Sequence, residues 1–133
     1  MNFPPNVEER LRSEPIMWMT TVTPGGQPQP SPIWFWWDGD LILMFSKDNT
    51  ARLTNIAAHP NVSLNLDGDG RGGAIVVIEG IARIDRDHPT AQAIPEYIEK
   101  YQTFLDGYEW TAAGFSTDYP VPIKIAPTRL RAW

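Results

Sequence analysis

From Ile16 to Ser46 the chain alternates between short apolar runs and polar breaks, at a spacing too tight for long helices. The run IMWMTTVT, Ile16 to Thr23, is rich in apolar and β-branched residues and predicts a strand. PGGQ, Pro24 to Gln27, has the residues of a tight turn. PQPSPIWFWW then predicts a second strand, with prolines at its start where a ladder N–H can be spared. DGD, Asp38 to Asp40, predicts a hairpin turn, and LILMFS, Leu41 to Ser46, a strand buried on both sides. The period then changes. In TARLTNIAAH, Leu53, Ile56 and Ala57 fall on one helical face, with Asp48 or Asn49 as the cap and His59-Pro60 as the stop.

Beyond that helix, NVSLNLD alternates as a strand and DGDGRGG reads as a loop. AIVVIEGIARIDRD predicts a long strand with a bulge or bend at Gly80. PTAQAIPEYIEKYQTFL predicts a helix pair broken near Pro95, while GYEWTAAGFSTDYP shows no period. VPIKIAPTRLRAW predicts a final pair of strands in which Ile123 and Ile125 alternate with Lys124. At the other end, Asn6 is expected to cap a short helix, VEERLRSE, that Pro15 ends. The pattern sums to an α+β protein, mainly antiparallel β. It has about six strands arranged as a small barrel and a few short peripheral helices. With 133 residues, no repeat and no linker-like shift, a single domain over 1–133 is expected.

Composition narrows the chemistry. The net charge of −5 argues against a general nucleic-acid binder, which needs a broad basic face. No cysteine is present, so disulfides and thiolate chemistry are excluded, and a reducing, cytoplasmic setting is expected. No apolar run approaches the ~20 residues that cross a bilayer, and MNFPPNVEER is unlike a leader peptide. The only imidazoles, His59 and His88, both precede proline, so no metal site or triad is expected from them. Neither a P-loop nor a dinucleotide fingerprint occurs, because G-D-G-R-G-G leads into a strand.

Two clusters remain. In SKDNTARLTN a strand hands over to a helix, and Lys47 and Arg52 stand where the helix end is already electropositive. As a bland surface pairing with nearby acids they need no further account. With an anion between them, Ser46, Lys47, Thr50 and Arg52 form a compact phosphate-type site. In SPIWFWW, strand alternation puts Pro32, Trp34 and Trp36 on one side and Ile33, Phe35 and Trp37 on the other. Both sides are too apolar for open water, so one packs the core and the other meets a ring system or a second subunit. A flat aromatic ligand with a phosphate tail satisfies both clusters.

Together these stretches resemble the pyridoxamine 5′-phosphate oxidase-like flavin and deazaflavin reductases. The resemblance runs through MTTVTPGGQPQPSPIWFWWDGDLILMFS, SKDNTARLTNIAAHPNVSLNL, IVVIEGIARI and PTRLRAW. It implies a six-stranded split β-barrel, a homodimer and a cofactor site at the subunit interface. It implies that Ser46, Lys47, Thr50, Arg52 and Asn55 hold a cofactor phosphate, and that Ser31, Pro32, Ile33, Trp34, Met44 and Phe45 lie by its ring. The likeness is nearest to members that use coenzyme F420, with FMN as the alternative. The implied activity is hydride transfer from the reduced deazaflavin to a small electron-poor acceptor such as an enone, quinone, lactone or tetrapyrrole. A carrier that binds FMN, F420 or a tetrapyrrole without turnover fits the same residues, as does an FMN-dependent oxidase-like enzyme. No catalytic residue stands out. Tyr108 or Tyr119 is a candidate proton donor, Trp110 and Trp133 candidate acceptor walls, and Arg10, Arg12 and Arg71 candidate contacts for a cofactor tail.

Overall fold

The computed structural model describes residues 1–133. Helix α1 (Pro5–Ser13) leads into strands β1 (Met17–Val22), β2 (Pro28–Ile33), β3 (Trp36–Trp37) and β4 (Ile42–Ser46). Helix α2 (Ala51–Ala58), β5 (Asn61–Leu66) and β6 (Val76–Ile84) follow. A 3-10 turn (Ala91–Ala93), α3 (Pro95–Gly107), α4 (Ala112–Asp118) and β7 (Val121–Ala132) complete the chain. All strands join one antiparallel sheet in the order β2-β1-β5-β6-β7-β4-β3, curled into a half-barrel.

The sheet has seven strands where about six were expected, because PQPSPIWFWW is cut at Trp34-Phe35. A tertiary contact makes the cut. The Phe35 N–H donates to the Tyr101 hydroxyl at 2.7 Å, and the Phe35 carbonyl accepts from Lys100 Nζ at 3.0 Å. The backbone there is satisfied from α3 instead of by a neighbouring strand. Alternation survives the cut: Ile33, Phe35 and Trp37 are buried in or beside the main core, while Trp34 and Trp36 pack on the opposite side.

Inside the sheet, between β6 and β4, the expected pair of closing strands is one strand of 12 residues. Pro127 does not break it, because it adjoins a bulge in β7 opposite Glu79 and Gly80: Glu79 pairs with Arg129 and Gly80 with Pro127. Thr128 is the extra residue, and its hydroxyl donates to the Glu79 carbonyl at 3.1 Å. Gly80 is required there, since an added Cβ would lie 2.8 Å from Ile125 Cγ2 and 3.1 Å from the Ala126 carbonyl oxygen.

Four local expectations are corrected. Pro5, whose missing N–H costs nothing in the first turn, starts α1 after Pro4, so Asn6 lies inside the helix and does not cap it. Thr50, not Asp48 or Asn49, occupies the cap position of α2; Asn49 adopts φ 57° and Asp48 turns to Arg86 at 3.0 Å. Within α2, Leu53 and Ile56 are buried but Ala57 is exposed, and Asn55 takes its place inward. GYEWTAAGFSTDYP contains α4, opened by Thr111, whose hydroxyl accepts from the Gly114 N–H at 2.9 Å.

Strand β4 divides the interior. Ile42 and Met44 face the main core, with α1 and α2 packed over it. Leu43 and Phe45 face a second cluster built by α3, the 3-10 turn and α4. Burial on both sides, as read from LILMFS, covers all five strand residues. The β2 edge carries Pro28, Pro30 and Pro32 opposite Val22, Thr20 and Trp18. These prolines have no N–H, so the edge offers carbonyls but no matching donors to another strand.

Candidate functional site

A cavity of about 290 Å³ opens between the sheet and the α3–α4 cap. The sheet contributes Pro32, Ile33, Trp34, Met44 and Phe45, and α2 contributes Arg52. The cap contributes Tyr97, Tyr108, Trp110, Phe115 and Tyr119. The rings are ordered against one another. Trp34 stacks on Phe115 at 5.3 Å and on Tyr101 at 4.6 Å, and Phe115 stacks on Tyr119 at 4.8 Å. Such a lining favours a flat, unsaturated guest.

Arg52 is the cation on this wall. Its Nη2 donates to the Ser31 hydroxyl at 2.7 Å, which ties α2 to β2. Its Nε is buried and has no partner. Burial lowers its pKa from the usual arginine value. An arginine N–H left unpaired inside a protein is a site that an acceptor atom can fill. The start of α2 adds to this: no side chain caps it, and its first turn holds no acid. Lys47 is exposed, with Nζ 5.5 Å from the ring centroid of Tyr119. The Ser46 hydroxyl donates to the Lys47 carbonyl at 2.9 Å and lies 3.4 Å from the Thr50 hydroxyl. Asp48, the acid next to Lys47, is drawn off by Arg86, whose hydrogen bond holds its carboxyl below the usual range.

The structure therefore brings Pro32, Ile33, Trp34, Met44, Phe45 and Arg52 around one cavity, with Ser31 attached through Arg52. Ser46, Lys47 and Thr50 gather at the adjoining helix start. Asn55 does not join them. Its amide nitrogen donates to the Thr21 hydroxyl at 3.0 Å and to Gln29 Oε1 at 2.9 Å, so those donors hold α2 on β1 and β2. Tyr108, Trp110 and Tyr119 line the cavity, whereas Trp133 is paired with Ile75 at the sheet's end. Arg10 is held by Glu14 and by the Asp67 and Ala74 carbonyls, and Arg12 lies beside Glu8. Tyr97 and Phe115 were not singled out from the sequence. Tyr97 and Tyr101 share a helical face at i, i+4, which reads as ordinary core, and Phe115 sits in a segment without a period.

A curled antiparallel sheet, with a ring-lined cavity and a helix start at the end of one strand, defines a split-barrel cofactor-binding class. The chain belongs to the pyridoxamine 5′-phosphate oxidase family, whose sequence pattern matches residues 3–133. The family resemblance read from the sequence stands. Among solved structures, an F420 reductase matches with a TM-score of 0.75 at 22% identity, over 97% of this chain and 98% of its own. A pyridoxamine 5′-phosphate oxidase-type protein from Listeria innocua matches with a TM-score of 0.71 at 22% identity, over 95% and 94%. The heme storage protein HutZ from Vibrio cholerae matches with a TM-score of 0.70 at 18% identity, over 99% and 95%. At these identities the likeness is one of fold. No curated protein matches in sequence. No helix is long and apolar enough to cross a membrane.

Proposed function

We propose that this chain is a coenzyme F420-dependent oxidoreductase that reduces a small electron-poor acceptor. The observation that carries the reading is the unpartnered Arg52 Nε on the wall of an aromatic cavity, beside the uncapped start of α2. A phosphate there takes up the guanidinium N–H and the helix N–H groups together. Lys47 and Thr50 supply further donors, while the Ser46 hydroxyl proton is already engaged with the Lys47 carbonyl. The ring extends from this point along Pro32, Ile33, Trp34, Met44 and Phe45, with the fold likeness to an F420 reductase as added support. When bound, the reduced deazaflavin supplies a hydride. The chain's own rings exclude water and hold the guest flat.

A second copy of the chain belongs to this reading. Trp18 and Ile81 are 37% and 46% exposed on the outer side of β1 and β6. Pro32, which walls the cavity, pairs with Trp18 on that side. A homodimer seated there covers these residues and closes the cavity's open side. The carrier alternative has an observation of its own. About 290 Å³ lies at the lower end of ligand pockets and suits one ring system, not two stacked ones, and HutZ shares the fold.

Titration of the purified protein with FMN and with F420, followed by absorbance, tests the reading. Saturable binding of F420, and protein-dependent decay of its reduced form with cyclohexenone or menadione, is the expected result. Binding without decay favours the carrier, and tight binding of FMN alone favours the flavin enzyme. If neither cofactor binds, the proposal fails. Arg52→Ala should weaken the binding by about 1–3 kcal/mol, as for a lost charge-assisted hydrogen bond. Lys47→Ala should weaken it by less than about 1 kcal/mol, because that charge is exposed and screened.

A further inference from the structure

Tyr97 is 1% exposed, and its ring forms part of the cavity wall. It packs edge-on to Phe45 at 5.0 Å and lies 6.1 Å from Phe115. Its hydroxyl is buried and has no hydrogen-bond partner. One helical turn later Tyr101 provides the contrast. That hydroxyl accepts from the Phe35 N–H at 2.7 Å and reaches the carbonyls of Pro15 at 2.7 Å and Phe35 at 3.0 Å. Tyr101 is satisfied within the chain, and Tyr97 is not. A phenylalanine would fill the ring's place at position 97 without the penalty of an unpaired polar group.

The missing partner has a definite character. Burial pushes the Tyr97 phenol well above its ordinary value, so the group is neutral and keeps its proton to donate. No carboxylate or amide side chain lines the cavity. The other unpaired polar atom on its wall, Arg52 Nε, is also a donor. Two buried donors on one ring-lined cavity call for a guest that brings acceptor atoms on a flat frame.

We propose that the Tyr97 hydroxyl donates a hydrogen bond to a carbonyl oxygen of a planar conjugated ligand, so that Tyr97 selects carbonyl-bearing ring systems over plain aromatics. The hydroxyl reaches the ligand as the neighbouring rings of Phe115 and Tyr119 shift to seat it. The inference rests on the cavity being the ring-binding site proposed above, but not on which cofactor or acceptor fills it.

A matched pair of probes tests it: 9-fluorenone and fluorene, nearly equal in shape and differing in one carbonyl. Each is titrated against the full-length protein by quenching of tryptophan fluorescence, with FMN and F420 titrated in parallel. The wild type should prefer fluorenone by roughly five- to tenfold, the worth of one neutral hydrogen bond. Tyr97→Phe should erase that preference, keep fluorene binding, and unfold at an equal or higher urea concentration. Tyr101→Phe should lower the urea midpoint and leave the preference intact. A Tyr97→Phe protein that still prefers fluorenone overturns the inference while leaving the ring site standing. A wild type that binds neither probe nor either cofactor overturns both.

Discussion

Lys100 shows how much one side chain settles. Its Nζ donates to the Phe35 carbonyl at 3.0 Å and approaches the Leu11 carbonyl at 3.4 Å, and it sits 3.7 Å from the Phe35 ring centroid. Burial lowers its pKa from 10.5 to about 8, against the opposing pull of the Glu14 carboxylate. Between those values the unfolded chain holds a proton that the folded chain has released, so stability rises with pH across that window. Below about 8 both states are protonated and the burial penalty is fully present. Wild type should therefore gain on Lys100→Met between about pH 7 and about pH 9.5 in urea unfolding. Equal responses of the two proteins to pH would remove the assignment. Above the ordinary tyrosine range the sign turns, because Tyr97 and Tyr101 are both raised and the unfolded chain loses their protons first. At the same scale, Asn55 illustrates a residue whose neighbourhood suggested a ligand but whose donors are committed to Thr21 and Gln29.

Among the elements, the pairing of β6 with β7 is the longest, and its shape depends on Gly80. A methyl group there meets Ile125 and the backbone of Ala126, neither of which can retreat cheaply. Gly80→Ala should destabilise the fold by about 1–3 kcal/mol, the usual range for overpacking. A lower urea midpoint with an unchanged slope is the expected reading. An unshifted midpoint would mean that the strand pair relaxes around the methyl. The bulge was legible because a glycine in the middle of a β-branched run has few other uses. The continuity of β7 through Pro127 was not, because it depends on that proline adjoining the bulge at Thr128, opposite Gly80. Likewise α4 is only seven residues long with a glycine inside, too short for periodicity to register.

For the whole molecule, the outer side of β1, β5 and β6 is where a second copy is proposed. The proline-bearing β2 edge is a poor template for extending the sheet into a partner, so the proposed association uses that surface and not strand addition at β2. Trp18→Glu should give a monomer in sedimentation that binds cofactor less tightly, since Pro32 beside it walls the cavity. A wild-type monomer that still binds would remove the second copy from the site. Binding of an anionic cofactor tail should also weaken with salt more for F420 than for FMN.

The grouping of Pro32, Ile33, Trp34, Met44, Phe45 and Arg52 came through the family resemblance, whereas the alternation of side chains along each strand, the bulge glycine, the turns and the charged helix end were readable from order alone. Each of the latter rests on neighbours close in sequence, where the strand period of two, steric limits at glycine and helix-end charge act locally. The cut at Phe35, the turning of Asn55 inward and the burial of Tyr97 without a partner were decided by contacts between residues far apart in the chain. The first and last exist only once α3 and α4 dock on the sheet, and the second once α2 docks on β1 and β2, because the hydrogen-bond partner and the water-free surroundings that define them come from other elements.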